Sequence, residues 1–312
     1  MSAPAIEVPA GTQEARGVGE VRGGGWFTRI AVVVIVVLWL IPTAGVLITS
    51  FRPQDLVNSS GWWTALAHVF SAGQWTFENY REALTAQGFG NAFLNSLAVA
   101  IPSTVIPITI AAFAAYAFSW MDFRGRYVMF IAVVGLLVVP LQMALIPILR
   151  LFVNGASLFG VQLFPDLDLN GTFLGVWLAH TGFGLPLAIY LLRNYIGSLP
   201  SSIIESAKID GADHFTIFWR LIVPLSVPAL AAFAIFQFLW VWNDLLVAYV
   251  FLGGTQEVQV LTIALAGLVG SHGENWHLLT AAAFISMSLP LAVFFSLQKY
   301  FVRGLTAGGV KG

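Results

Sequence analysis

The stretch Leu199-Pro200-Ser201-Ser202-Ile203-Ile204-Glu205-Ser206-Ala207-Lys208-Ile209-Asp210-Gly211-Ala212-Asp213-His214-Phe215-Thr216-Ile217-Phe218-Trp219-Arg220-Leu221-Ile222-Val223-Pro224 decides how this chain is read. It lies between two long apolar runs, yet it has too much pattern for a passive connection. Pro200 followed by Ser201 and Ser202 is a helix-start signal. Ile203, Ile204 and Ala207, and then Phe215, Phe218 and Trp219, recur at helical spacing. Gly211 interrupts them, so the spacing predicts a helix, a turn and a second helix. A glycine at such a turn frees the backbone and lets another surface approach it. The stretch presents apolar and acidic groups together, which calls for a partner to cover them.

Outward from this stretch the chain is apolar. It is 58% hydrophobic and 9% charged, with mean hydropathy +0.84. Soluble domains carry roughly 25% charged residues, so much of this surface faces something other than water. Six runs reach the ~20 apolar residues that a bilayer-crossing helix needs: Ile30–Phe51, Asn91–Phe118, Tyr127–Leu149, Thr172–Tyr195, Pro228–Leu252 and Leu278–Val302. The first is longer than a signal-peptide core and lacks a small-x-small cleavage site, so it reads as a retained anchor. The fold class expected is an all-α membrane protein with six transmembrane helices.

Orientation follows from the basic residues. With the N-terminus cytoplasmic, Arg16, Arg22, Arg29, Arg124, Arg126, Arg193, Lys208, Arg220, Lys299, Arg303 and Lys311 fall inside, and only Arg52, Arg81 and Arg150 fall outside. Both termini are then cytoplasmic, and the quoted stretch is too. The Trp-rich segment Gly61–Phe70 and Trp75 fall outside near the first span, where Trp favours the membrane interface. Pro42, Pro102, Pro107, Pro140, Pro147, Pro186 and Pro290 lie within the spans and predict bends. The domain plan is a flexible tail over 1–26, a membrane domain over 27–302 with a cytoplasmic loop at 199–224, and a second tail over 303–312.

Several chemistries are excluded. Without cysteine there is no disulfide, thiolate metal site or cysteine nucleophile. No G-x-x-x-x-G-K-[ST] is present, so the chain has no P-loop for ATP. His272-Gly273-Glu274-Asn275-Trp276-His277 lacks the H-E-x-x-H spacing, and no metal is expected. His68 and His214 stand alone, and no Ser/His/Asp set has a recognisable context, so no catalytic residue is assigned. A net charge of −1 gives no basic field for nucleic acid.

The quoted stretch resembles the "EAA" loop of binding-protein-dependent ABC importer permeases, E-A-A-x3-G-x9-I-x-L-P. Glu205-Ser206-Ala207, Gly211 and Leu221-Ile222-Val223-Pro224 stand at the matching positions, with Ser206 in place of an alanine. Trp75-Thr-Phe-Glu-Asn-Tyr80, Asn95-Ser96, Asp122-Phe-Arg-Gly-Arg126, Phe238-Leu-Trp-Val-Trp-Asn243-Asp244 and Tyr300–Gly312 extend the likeness to the smaller permease of maltose-type sugar importers, nearest its α-glucoside branch. The resemblance implies a type I ABC importer permease fold in a bacterial or archaeal cell membrane.

It also implies partners and sites. Residues Glu205, Ser206, Ala207, Asp210, Gly211 and Pro224 would form a coupling helix on a separate ABC ATPase dimer, with Glu205 paired to a basic residue there. Gly308, Gly309 and Lys311 of the tail would reach the ATPase interface. ATP and Mg would sit on that partner and no cofactor on this chain. A second homologous permease, an external sugar-binding protein, the bilayer and a di- or oligosaccharide complete the expected set. Sugars are held by aromatic faces and hydrogen-bonding groups, and Asn95, Ser96, Gln142, His180, Gln237, Trp240, Trp242, Asn243 and Asp244 are the in-span candidates. Trp240, Asn243 and Asp244 are taken as path residues. Asp244 is a carboxylate in an apolar run, which marks function by default. The alternatives are an ion-coupled secondary transporter, for which Asp244 is the one available carboxylate, a permease for a non-sugar solute, and a membrane enzyme or scaffold.

Overall fold

The structure is a computed structural model and describes residues 25–85, 88–268 and 275–307, with backbone alone over 297–307. The chain divides into two compact units, Met1–Val46 and Leu47–Gly312. Among the described residues the helices are α1 Trp26–Ser50, α2 Gln54–Ser59, α3 Thr64–Ala67, α4 Glu78–Thr85, α5 Phe89–Ala100, α6 Pro102–Trp120, α7 Arg126–Gly135, α8 Leu141–Asn154, α9 Phe173–Ile196, α10 Ser201–Ile209, α11 His214–Ile217, α12 Val223–Trp242, α13 Leu246–Leu252, α14 Leu261–Leu268 and α15 Trp276–Ala307.

Five stretches are long and apolar enough to cross a membrane: Trp26–Ser50, Phe89–Trp120, Phe173–Ile196, His214–Trp242 and Trp276–Ser296. Arg126–Val138 and Leu141–Asn154 are apolar enough only together and are bent by 109°; taken as one broken span, the pair makes a sixth, and the spans are numbered on that basis. The break has a plain cause. After α7 the helix tightens to a 3-10 turn over Leu136–Val138, and Val139 leaves the helical region with ψ 116. Val139 precedes Pro140, whose ring disfavours the α conformation in the residue before it. Pro107 and Pro186, by contrast, sit inside continuous helices.

One expectation is corrected. The fifth span does not run to Leu252: it begins at His214 and stops at Trp242, and α13 is a separate helix beyond the turn at Asn243-Asp244-Leu245. The fold is the expected all-α membrane class, with one small addition. Between the third and fourth spans Ala156–Leu158 (β1) and Val161–Phe164 (β2) form an antiparallel hairpin. Its two-residue turn, Phe159-Gly160, has φ of 51° and 80°, the doubly positive geometry that matches strand twist in tight hairpins.

The second unit packs around two apolar clusters. One gathers Phe89, Val99, Val176, Trp242, Phe251 and Leu261; the other gathers Ala111, Ala115, Ala188, Leu192, Ile196, Ile204, Ile217 and Phe218. The alanines of α6 and α9 have no exposed surface at Ala111, Ala115 and Ala188. Small side chains let two membrane helices approach closely where lipid supplies no hydrophobic drive between them. The second cluster includes Ile204, Ile217 and Phe218, so it anchors the 199–224 stretch to the spans.

Candidate functional site

The 199–224 stretch folds as two helices around one turn. α10 starts directly after Pro200, which lies in extended geometry. It closes in a Schellman arrangement: Ala212 N–H donates to the Ala207 carbonyl at 2.9 Å and Gly211 N–H to the Lys208 carbonyl at 3.1 Å. Gly211 has φ +82°. A side chain there would meet nothing of this chain within 4 Å, so the backbone angle, not crowding, requires glycine.

The second helix is capped by Asp213. Its Oδ1 accepts the Thr216 N–H at 2.8 Å, and hydrogen bonding from the Thr216 side chain, then from its N–H, holds the Asp213 carboxyl below its ordinary range. The helix then widens to a π turn over Phe218–Ile222 before α12. Pro224 stands two residues beyond, where an ordinary helix would drive its ring against the carbonyl of Arg220. The wider turn relieves that conflict.

Side chains from the second and fourth spans brace this region from behind. Tyr116 Oη and His214 Nδ1 share a hydrogen bond of 2.8 Å. Phe113 stacks on Phe218 with centroids 4.4 Å apart. Trp120 Nε1 donates to the Ile196 carbonyl at 3.1 Å, and Tyr195 Oη to the Leu225 carbonyl at 3.2 Å. His214, isolated in the sequence, is thus tied to span two.

The outward side is bare. Ile204 and Ile217 are buried, but Ile209 is 86% and Phe215 67% exposed. Glu205, Ser206, Lys208 and Asp210 are exposed, and Glu205 has no hydrogen-bond or ion-pair partner among the described residues. The turn is rigid on the bundle side and uncovered on the other.

The end of span five away from the turn carries the path candidates. His180 on α9 is fully buried, its ring 5.7 Å from that of Trp240 and its Nε2 3.7 Å from Asp244 Oδ2. Asp244 lies past the end of the span, where its Oδ2 accepts Ala248 N–H at 2.9 Å and its carbonyl accepts Thr262 Oγ1 at 2.6 Å. It therefore starts α13 and holds α14. Asn243 donates back to the Leu239 carbonyl of its own helix at 2.7 Å.

The other in-span polar groups join helices. Trp242 Nε1 donates to the Ser286 carbonyl at 3.0 Å, Gln237 to that of Ser103 at 3.2 Å, Asn95 to those of Glu257 and Gln259 at 2.9 and 3.1 Å, and Ser96 Oγ accepts Leu261 N–H at 2.8 Å. Trp240 differs. With Phe183, Gly184, Phe236 and Gln237 it lines a mainly apolar cavity of about 380 Å³, which Leu136, Leu137, Val139 and Leu141 line from the break in span three. Gly308, Gly309 and Lys311 lie outside the described residues.

Apolar spans, one of them broken, with a braced but uncovered helical turn between the fourth and fifth, define a multi-pass membrane transport component. The profile of the family "Binding-protein-dependent transport system inner membrane component" matches residues 92–307, and the chain belongs to that family. It is 58% identical to the osmoprotective compounds uptake permease protein GgtD of Synechocystis sp., over 91% of each chain. It is 46% identical to the α-glucoside transport system permease protein AglG of Rhizobium meliloti, over 92% of this chain and 97% of that one. Among solved structures, a bacterial ABC transporter involved in import of the acidic polysaccharide alginate superposes with TM-score 0.69, covering 88% of this chain and 96% of that one. At 20% identity that likeness establishes the shared fold. The protein is a multi-pass permease subunit of a cell membrane.

Proposed function

We propose that this chain is the sugar-translocating permease subunit of an ATP-driven importer, and that residues 199–224 take force from a separate ATPase. The observation that carries the proposal is the turn at Gly211: closed by its own hydrogen bonds, braced by Tyr116 and Phe113, and bare at Ile209, Phe215 and Glu205. Such a surface suits a partner that pushes on it. Glu205 pairs with a basic group of the ATPase, which satisfies the carboxylate once docking removes its water. The chain carries no P-loop, so ATP and Mg are held by the ATPase dimer.

The positive-inside bias supports cytoplasmic termini and a cytoplasmic turn. A second homologous permease completes the passage by a pseudo-twofold, and an external sugar-binding protein delivers cargo. Closure of the ATPase dimer around ATP moves the turn and rocks the spans between outward- and inward-open states. The tail at Gly308, Gly309 and Lys311 adds a second contact with the ATPase. Trp240 is the wall on which a sugar ring passes, with Asn243 and Asp244 at its outer end.

The α-glucoside permease relative supports a di- or oligosaccharide cargo. A second cargo reading, an osmoprotective compound, is supported by the 58%-identical relative. The test is uptake by proteoliposomes holding this chain with its ATPase, second permease and binding protein. Labelled α-glucoside should accumulate only with internal ATP and binding protein, and competition by osmoprotectants separates the two cargoes. Uptake driven by an ion gradient without ATP would overturn the proposal. Deleting residues 304–312 should lower the stimulated ATPase rate; an unchanged rate removes the tail from the mechanism.

A further inference from the structure

Residues 51–85 have no part in the coupling turn or the cavity. The chain leaves one span at Ser50 and enters the next at Phe89, so both ends of this segment meet the same membrane face. It is a folded platform. Arg52 is buried, and its guanidinium donates to the carbonyls of Ser60 and Leu56, each at 3.1 Å, and to Ser60 Oγ at 2.7 Å. Asn79 Nδ2 donates to the carbonyls of Ser50 and Arg52, each at 2.9 Å, and Thr76 N–H to that of Phe51 at 2.7 Å. These bonds clamp both ends of the segment onto the end of the first span.

The part held between the clamps is apolar and exposed. From Leu56 to Phe77 there is no Asp, Glu, Lys or Arg. Trp63 and Leu66 stand one turn apart on α3, which buries Ala65 on its other side. Trp63, Leu66, Phe70 and Phe77 are exposed, Phe70 completely, and Trp75 is exposed with its indole N–H already donated to the Val69 carbonyl. Large apolar groups left uncovered on a rigid platform mark a contact surface. Docking rims between proteins carry charged and polar groups, and none of the four charged residue types occurs here. Trp and other aromatic rings without charge, at the level of a membrane face, match the headgroup interface.

We propose that Trp63, Leu66, Phe70, Trp75 and Phe77 rest in the lipid headgroup region of that leaflet and fix the height of the first two spans in the bilayer. The adjoining helix α4 lies on the water side, where Arg81 pairs with Glu78 at 2.7 Å with both side chains exposed.

The chain has no native cysteine, so single cysteines report cleanly. Phe70→Cys, Leu66→Cys and Arg81→Cys are each labelled with an environment-sensitive fluorophore in the full-length chain, purified with its accompanying subunits into phosphatidylcholine nanodiscs. Lipid brominated near the headgroup should quench the labels at 70 and 66 at least about threefold more than the label at 81, with iodide showing the reverse order. External binding protein should change neither. Iodide quenching at 70 and 66 equal to that at 81 would overturn the proposal. So would protection from both quenchers, which identifies a protein cover instead. Position 66 keeps the test valid if the change at 70 lowers the yield.

Discussion

Gly211→Ala tests why the coupling turn needs glycine. The residue has φ +82°, and a methyl group there meets no atom of this chain within 4 Å. Any defect must come from the backbone angle or from a surface outside this chain. A left-handed angle costs an L-residue roughly 1–2 kcal/mol, which lowers the population of the closed turn, and the apparent affinity for the ATPase, by about 5- to 30-fold. Asn tolerates the left-handed region and serves at this helix-end position. Gly211→Asn should therefore recover most of the loss, although its side chain is larger. The assay is binding of the purified ATPase, with sugar-stimulated ATP hydrolysis as a second readout. Wild-type behaviour in Gly211→Ala would refute the backbone reasoning. Asn worse than Ala would show instead that an outside surface presses on the turn.

Glu205→Ala should leave the fold intact, since Glu205 has no partner among the described residues. It should weaken ATPase docking by about 10- to 150-fold, the value of a charge-assisted bond of roughly 1.5–3 kcal/mol; titration with the ATPase checks this. Tyr116→Phe removes the bond to His214 and should cost about 0.5–1.5 kcal/mol, read as faster hydrogen exchange over 213–218. Gly184→Ala places a methyl 2.7 Å from the Gln237 amide and should destabilise by about 1–3 kcal/mol, with the added change Gln237→Ala restoring part of the melting temperature. Asp213 gives a pH test. Its hydrogen bond from Thr216 holds the carboxyl below the ordinary 3.8, so its capping is complete above that value and is lost as pH falls through the lowered one. Exchange at the Thr216 amide should be protected evenly from pH 5 to 8 after correction for the intrinsic rate, and protection should fall only in strong acid.

The spans and the turn were legible because their signals are contiguous. Apolar run length marks a span, and Pro200, Gly211 and the Ile/Phe spacing mark two short helices within 26 neighbouring residues. What braces the turn was not legible. Tyr116 lies 98 positions before His214, and neither residue has a pattern that points to the other. The end of span five was misplaced because Leu245–Leu252 is as apolar as the span before it. Run length does not register a turn created by one side-chain bond, here Asp244 to the Ala248 N–H. Pro140 was read as a bend, and a bend of 109° is larger than one missing hydrogen bond requires. The extra comes from Val139, whose backbone is extended before Pro140 and redirects the chain.

Span five joins the two functional ends. From His214 to Trp242 it is one helical body of 29 residues, about 43 Å at 1.5 Å per residue. One end is the helix capped by Asp213 and bonded to Tyr116, and the other carries Trp240 on the cavity. A stiff helix transmits displacement, so in the proposed mechanism a push at the turn would arrive at Trp240 as a shift of the cavity wall. The compliance is concentrated near the driven end, in the π turn over Phe218–Ile222 and at Pro224 and Pro228. Beyond Pro228 the rod is proline-free up to Trp242 and is fixed to its neighbours through Gln237 and Trp242. In the proposed mechanism the in-span polar residues would serve mainly to stiffen this helix, and the cargo would meet it where its aromatic wall is free of such bonds, at Trp240.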